Sequence, residues 1–173
     1  MPSLPNWVIE PLNSSKHIRN HFSCGNELLD HYLKKQASQD IKRKLAKVFV
    51  ILEPDSLNVL GFYTLSAASF NKSKLPTGLS KKLPHSDIPA VLIGRLAVDQ
   101  TWQGKKLGEY FLVDACQRVV ETSQRTLAIN AVVVQAKDET AKAFYLKYGF
   151  IPFCNESLHL FIPIKTLENA NNF

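Results

Sequence analysis

No apolar run in the sequence approaches the roughly twenty residues that a membrane-spanning helix needs. The opening stretch, MPSLPNWVIEPL, lacks the charged segment followed by an apolar one that marks an export signal. Together these absences predict a soluble, cytoplasmic protein that meets no membrane. Cysteine is scarce: Cys24, Cys116 and Cys154 form an odd, scattered set without CxxC spacing, so no disulfide framework is expected. His17, His21, His31, His85 and His159 do not fall at ligand spacing with them, and no metal is expected. Repeats and low-complexity tracts are missing as well.

What is present suits a globular enzyme or binding domain. With 173 residues, 45% of them apolar and only 7 glycines, the chain can bury a core and is most economically read as one domain over 1–173. The formal charge of +6 suits an acidic partner, although mild basicity is common without one. WVIEPL reads as a first strand. NELLDHYLKKQASQDI reads as a helix with Leu29, Tyr32, Leu33, Ala37 and Ile41 on one face and Asn26 as N-cap. VFVILE and VLGFYTLSAASF are strands joined by turn residues, which predicts an antiparallel hairpin or meander. Residues 71–89, with three prolines and four lysines, read as a long surface loop. AVLIGRLAV and LAINAVVVQA are buried strands, DETAKAFYLKY is a short helix stopped by Gly149, and LHLFIPI is a last strand.

The stretch VDQTWQGKKLGEYFLVDA joins a buried strand to an amphipathic helix whose apolar positions begin at Leu107, Phe111 and Leu112. Gly104 and Gly108 flank the start of that helix, where the first N–H groups lack intrahelical partners and the dipole end is positive. An anion fits there, phosphate first. A tight strand-to-helix turn would use the same two glycines, and from the loop alone both readings stay open.

The order of elements, with Gln103-Gly104-Lys105-Lys106-Leu107-Gly108 in the place of a Q/R-x-x-G-x-G/A loop, resembles the GNAT acetyl-CoA-dependent N-acetyltransferases over nearly the whole chain. FSCGNELLDHYLKKQASQ and IGRLAVDQTWQGKKLGEYFLVDA are similar to one branch of that family, the GNAT toxins of type II toxin–antitoxin modules. AKAFYLKYGF is similar to the family's C-terminal A-x-x-F-Y-x-x-x-G-F element. The resemblance implies an α/β (α+β) GNAT fold, a central mixed twisted sheet of six to seven strands flanked by helices. Lys106 departs from the pattern, standing where many members carry glycine.

The resemblance also implies a division of roles. Coenzyme A needs a pyrophosphate cradle, for which Gln103, Gly104, Lys105, Lys106, Leu107 and Gly108 are the candidates, and a strand edge for its amide-bearing arm, supplied by Leu96, Ala97 and Val98. A backbone N–H at Val98 would face the thioester oxygen. Tyr145, with Phe144 beside it, is the general acid for the departing thiolate. Periodicity offers a plainer role: Ala141, Phe144, Tyr145 and Tyr148 fall on one helix face, so Tyr145 could serve the core alone.

Between Ala90 and Val98 no Asp or Glu is available as a strand-borne base, leaving Asp99 or a water as substitutes. A lysine amine with pKa about 10.4 is neutral only about 0.04% of the time at pH 7, whereas an α-amine near 8 is neutral roughly 10% of the time. An α-amine acceptor is therefore favoured. From Lys34 to Lys47 there are six basic residues against Asp40 alone, which predicts either a solvated helix face or an RNA footprint. The toxin branch acetylates the α-amine of aminoacyl-tRNA, which makes Lys34, Lys35, Lys42, Arg43 and Lys44 candidate tRNA contacts. Arg95 is a candidate contact for the acceptor end or a structural partner. The expectation is a translation-inhibiting acetyltransferase that meets acetyl-CoA, aminoacyl-tRNA and a cognate antitoxin, with a homodimer left open. Two rivals are an acetyltransferase of a small amine or protein N-terminus, and a non-catalytic module keeping the fold as a platform.

Overall fold

The computed structural model describes residues 7–170; residues 1–6, which carry part of the N-terminal stretch read above for an export signal, lie outside the described residues. In chain order the elements are β1 (Ile9–Pro11), α1 (Glu27–His31), a π-helical turn (Tyr32–Gln36), α2 (Ala37–Lys42), β2 (Lys47–Leu52), β3 (Val59–Asn71), α3 (Thr77–Ser80), β4 (Asp87–Val98), α4 (Leu107–Arg125), β5 (Ala131–Gln135), α5 (Glu139–Lys147), β6 (Ile151–Phe153), β7 (Glu156–Pro163) and α6 (Ile164–Asn169). Seven strands form one mixed sheet in the order β1-β2-β3-β4-β5-β7-β6, with β4 and β5 parallel. This is the expected α/β sheet flanked by helices. The described chain divides into two compact units: residues up to Ser66 with Arg95–Ala115, and Ala67–Gly94 with the residues from Cys116 onward.

In the first unit Leu33, Ala37, Val48, Val50, Phe62 and Ala97 share one apolar cluster, so the helical segment buries its stripe on the inner faces of β2 and β3. The expected single helix over 26–41 is interrupted. Asn26 caps it by accepting the Leu28 and Leu29 N–H groups, but Ala37 N–H reaches back five residues to Tyr32 O. That wider turn brings Ala37 over Tyr32 and adds a third residue to the buried set with Leu33. On β3, Gly61 is a steric necessity. A Cβ there would come within 2.5 Å of the Phe111 ring on α4 and 2.9 Å of Ala97 O.

In the second unit β5 pairs in parallel with β4 from Ala90↔Ala131 to Ile93↔Val134, and antiparallel with β7 from Ala131↔Pro163 to Gln135↔His159. Residues 71–89 are not a structureless loop. Leu75, Leu79 and Leu83, four apart, pack against Phe70, Ile88 and Phe161, an apolar stripe that the prolines and lysines of the segment mask in the sequence. Two of those lysines are tied down: Lys72 Nζ donates to Leu83 O at 3.0 Å, and Lys74 pairs with Glu156 at 3.1 Å. LAINAVVVQA is strand only from Ala131, where the paired register with β4 begins; the Asn130 N–H still reaches Pro89 O on β4. The short β6, α3 and α6 carry too few residues to show a period.

Candidate active site

The β4–β5 ladder ends at Ile93↔Val134, while β4 runs on to Val98. Its last residues therefore have one edge without a β5 partner. The direction of their backbone groups follows from strand alternation. Arg95 N–H donates to Thr64 Oγ1 at 3.1 Å and Asp99 N–H to Leu60 O at 2.8 Å, both on β3, so residues 95, 97 and 99 turn one way and Leu96 and Val98 turn the other. Of the three residues expected at the pantetheine edge, Leu96 and Val98 face it. Ala97 does not: its carbonyl lies against Gly61 and its side chain is 5% exposed in the core.

After a 3-10 turn at Gln100–Trp102, Gly104 (φ 78°) and Lys106 (φ 67°) both adopt left-handed backbone, one on either side of Lys105. Such alternation points successive N–H groups into one concavity, an anion nest, and α4 begins immediately after it. Lys106 thus takes a left-handed conformation of the kind that glycine adopts most easily. Gly104 is there for its dihedral angle, since a Cβ would meet nothing within 4 Å. Leu107 anchors the helix start at 1% exposure, and Gly108 is half-buried behind it. Lys105 Nζ sits 4.4 Å from the centre of the Trp102 ring. Gln103 differs from its expected role as a cradle donor, for its N–H turns to Gln100 O and its carboxamide to Cys24 O and Val98 O.

Asp99, the substitute base, is engaged by three donors. Its carboxylate accepts the Thr101 N–H and hydroxyl and the Ser23 N–H. Burial pushes its pKa up, but these hydrogen bonds outweigh burial and hold it below the ordinary aspartate value. Asp99 is a fastener between two loops, a role signalled by the Asp-x-Thr spacing after the strand. Arg95 is held too: its guanidinium covers the ring of buried Tyr32. Lys35, Lys42, Arg43 and Lys44 are exposed and Lys34 is half-buried. All of these residues belong to the first unit.

Tyr145 and Phe144 belong to the second unit, on α5. Asp138 caps that helix through the Ala141 N–H at 2.8 Å, and at its end Gly149 (φ 90°) and Phe150 send their N–H groups back to Leu146 and Tyr145. Tyr145 is 8% exposed, its ring edge-on to Phe144 and Phe150. Burial first, then the nearby Cys116 thiol, pushes its pKa up to about 12. Three tyrosines are buried among the described residues. Tyr32 gives its hydroxyl proton to Asp40 and Tyr63 to Asp114. The Tyr145 hydroxyl has no hydrogen-bond partner among the described residues, yet its oxygen is not sealed from solvent. Core packing accounts for the ring but not for the hydroxyl. Among the described residues no group of three or more His, Cys, Asp or Glu could hold a metal ion, and no helix is long and apolar enough to cross a membrane.

The model of the acetyltransferase (GNAT) domain matches residues 86–160, which span β4, the nest, α4, β5 and α5. A probable toxin, TacT, of Sinorhizobium fredii is 31% identical over 94% of this chain and 93% of its own length. A tRNA-acetylating toxin of Mycobacterium tuberculosis is 33% identical over 83% of this chain and 84% of its own. The structure of AtaT complexed with acetyl-methionyl-tRNAfMet superposes with a TM-score of 0.90 at 30% identity, covering 96% of this chain and 100% of that one. AtaTR bound with AcCoA gives a TM-score of 0.84 at 31% identity, covering 96% and 98%. A strand that outruns its parallel partner, an anion nest at a helix start and a phenol with an unclaimed hydroxyl suit acetyl-CoA chemistry. With relatives of this identity and extent, the chain belongs to the GNAT acetyltransferases, among their toxins.

Proposed function

We propose that this N-acetyltransferase carries the acetyl group of acetyl-CoA to the α-amine of an aminoacyl-tRNA and so arrests translation. The unclaimed hydroxyl of Tyr145 carries the chemical half of this reading, since a pKa near 12 keeps it protonated at neutral pH and so able to donate to the sulfur as the C–S bond breaks. Acetyl-CoA supplies the activated acetyl group. The nest at Gly104–Lys106 and the start of α4 receive its pyrophosphate, and the edge at Leu96 and Val98 receives its amide arm. Val98 N–H faces the thioester oxygen as negative charge develops there.

The acceptor is supported by three observations. Relatives that match most of the chain are named for acting on tRNA or are seen with it. Between Ala90 and Val98 no carboxylate stands ready to deprotonate a lysine-type amine, and Asp99 is engaged elsewhere. The exposed Lys35, Lys42, Arg43 and Lys44 form a basic run suited to phosphates. We read the 173-residue chain as a single acetyltransferase domain, as its length and composition suggest. The protein acts in the cytoplasm, where its acceptor is found, and a cognate antitoxin restrains it.

Labelled acetyl-CoA incubated with a pool of charged tRNA tests the proposal. N-acetyl-aminoacyl-tRNA is the expected product. If no label enters charged tRNA while a polyamine or a protein N-terminus is modified readily, the acceptor is a small amine or a protein and the toxin reading falls.

A further inference from the structure

The segment leading into α1 and the segment leaving β4 are laced together. Ser23 N–H donates to Asp99 Oδ2 at 3.0 Å, and Gln100 N–H returns to Ser23 O at 2.8 Å. The third tie is Gln103, whose Nε2 stands 2.9 Å from Cys24 O and 3.0 Å from Val98 O. Both acceptors are carbonyls, so the amide nitrogen must face them, and its two hydrogens serve one each. Next to Cys24, Gly25 (φ 88°) leaves room for the Gln100 side chain, whose Nε2 a Cβ would approach to 2.9 Å.

The bond to Val98 O bears on chemistry. Val98 turns both its N–H and its carbonyl to the edge that β5 has left, because its neighbours at 97 and 99 turn to β3. A thioester oxygen that gains charge there is stabilised by the N–H and opposed by the carbonyl dipole. Gln103 Nε2 engages that carbonyl, while Asp99 N–H anchors the other end of the same peptide unit on Leu60 O. Pinned at both ends, the unit cannot rotate, and the adjoining Val98 N–H keeps its direction.

We propose that Gln103 is a positioning residue for acetyl transfer. Its carboxamide compensates the Val98 carbonyl, fixes the direction of the Val98 N–H, and ties that strand end to Cys24 ahead of α1. The proposal rests on the reading of the Leu96–Val98 edge as the acetyl-CoA edge, and it gives the first residue of the loop motif a task other than holding phosphate.

The test compares Gln103→Met, which keeps the length and loses both donors, with Gln103→Arg, which keeps donors for two carbonyls. Calorimetry with acetyl-CoA gives the affinity, and labelled acetyl transfer to charged tRNA at saturating acetyl-CoA gives kcat. The Met variant should lose roughly tenfold to 10²-fold in kcat, less than the full loss of an oxyanion donor, with acetyl-CoA affinity within about threefold of the parent. The Arg variant should recover most of that kcat. A parent-like kcat in the Met variant overturns the proposal, and so does a loss seen only as weaker acetyl-CoA binding, which would make Gln103 a phosphate contact. If the Met variant does not fold, the Arg variant decides: a folded Arg protein with a kcat at least tenfold below the parent overturns it. A parent that binds no acetyl-CoA would instead overturn the reading of the edge itself.

Discussion

The guanidinium carbon of Arg95 stands 3.6 Å above the centre of the Tyr32 ring, and the hydroxyl of that ring donates to Asp40 Oδ2 at 2.9 Å. One aromatic ring thus joins β4 to the π-helical turn and α2. The sequence offers Arg95 as an acceptor contact or a structural partner; the structure gives it a structural partner, the π face of Tyr32. A double-mutant cycle between Arg95→Ala and Tyr32→Leu should give a coupling of about 1–2 kcal/mol in urea unfolding, the range for a partly desolvated cation–π pair. Strict additivity would show that the stack contributes nothing.

Tyr145→Phe keeps the ring among Phe144 and Phe150 and removes the oxygen. Turnover should fall roughly 10²-fold or more while the melting temperature and acetyl-CoA affinity stay near those of the parent. A folded variant that turns over like the parent would leave Tyr145 as packing alone.

Three buried groups predict how stability responds to alkali. Burial pushes the Cys116 thiol from 9.0 up to about 12, and burial first among other causes pushes Tyr32 and Tyr145 from 10.0 up to about 12. Each holds its proton more tightly folded than unfolded. The stability they contribute is therefore complete below about pH 9 and is lost as the pH rises towards 12. The urea midpoint should be flat from pH 7 to about 9 on their account and then fall, and a midpoint still level at pH 11 would contradict the assignment.

Lys106 is left-handed where glycine is at ease. Comparing Lys106→Gly with Lys106→Ala removes the same charge twice and varies only the backbone preference. The Gly variant should be the more stable by about 1 kcal/mol, with equal acetyl-CoA affinity in the two. The opposite order of stabilities would mean that the loop is not left-handed at 106.

Replacing Lys42, Arg43 and Lys44 together by Glu tests the basic run. Acetylation of charged tRNA should drop at least tenfold, and the dependence of tRNA binding on salt should become shallower. Activity on a small free amine should change little. Equal losses on both acceptors would show that the run supports folding and not RNA.

The sequence makes some of this legible and hides the rest for physical reasons. Periodicity is enough for β4, α4 and α5, whose apolar residues recur over many positions, and the family motif locates the loop between Gln103 and Gly108. Leu75, Leu79 and Leu83 are spaced for burial but sit among prolines and lysines, whose signal dominates a short window. The alternating direction of Leu96, Ala97 and Val98 needs the bonds to Thr64 and Leu60, which no local pattern encodes. Asp99 and Gln103 act on Ser23 and Cys24, more than seventy residues away along the chain, so their roles emerge only with the fold. The motif letters identify Tyr145, but only the absence of a carboxylate at its hydroxyl separates it from Tyr32 and Tyr63.

The turn at Tyr32–Gln36 also acts as slack in the helical segment. An i→i+5 turn holds one residue more than an α-helical turn yet winds through nearly the same angle as four α-helical residues at about 100° each. The extra residue is absorbed where it stands, and Ile41 keeps its place against the apolar cluster. Wound as regular α-helix, the same residues would carry all that follows about 100° further round and swing Lys42 and Arg43 off their present bearing. In this segment the wide turn, not the chain length, decides which way the positive charge looks.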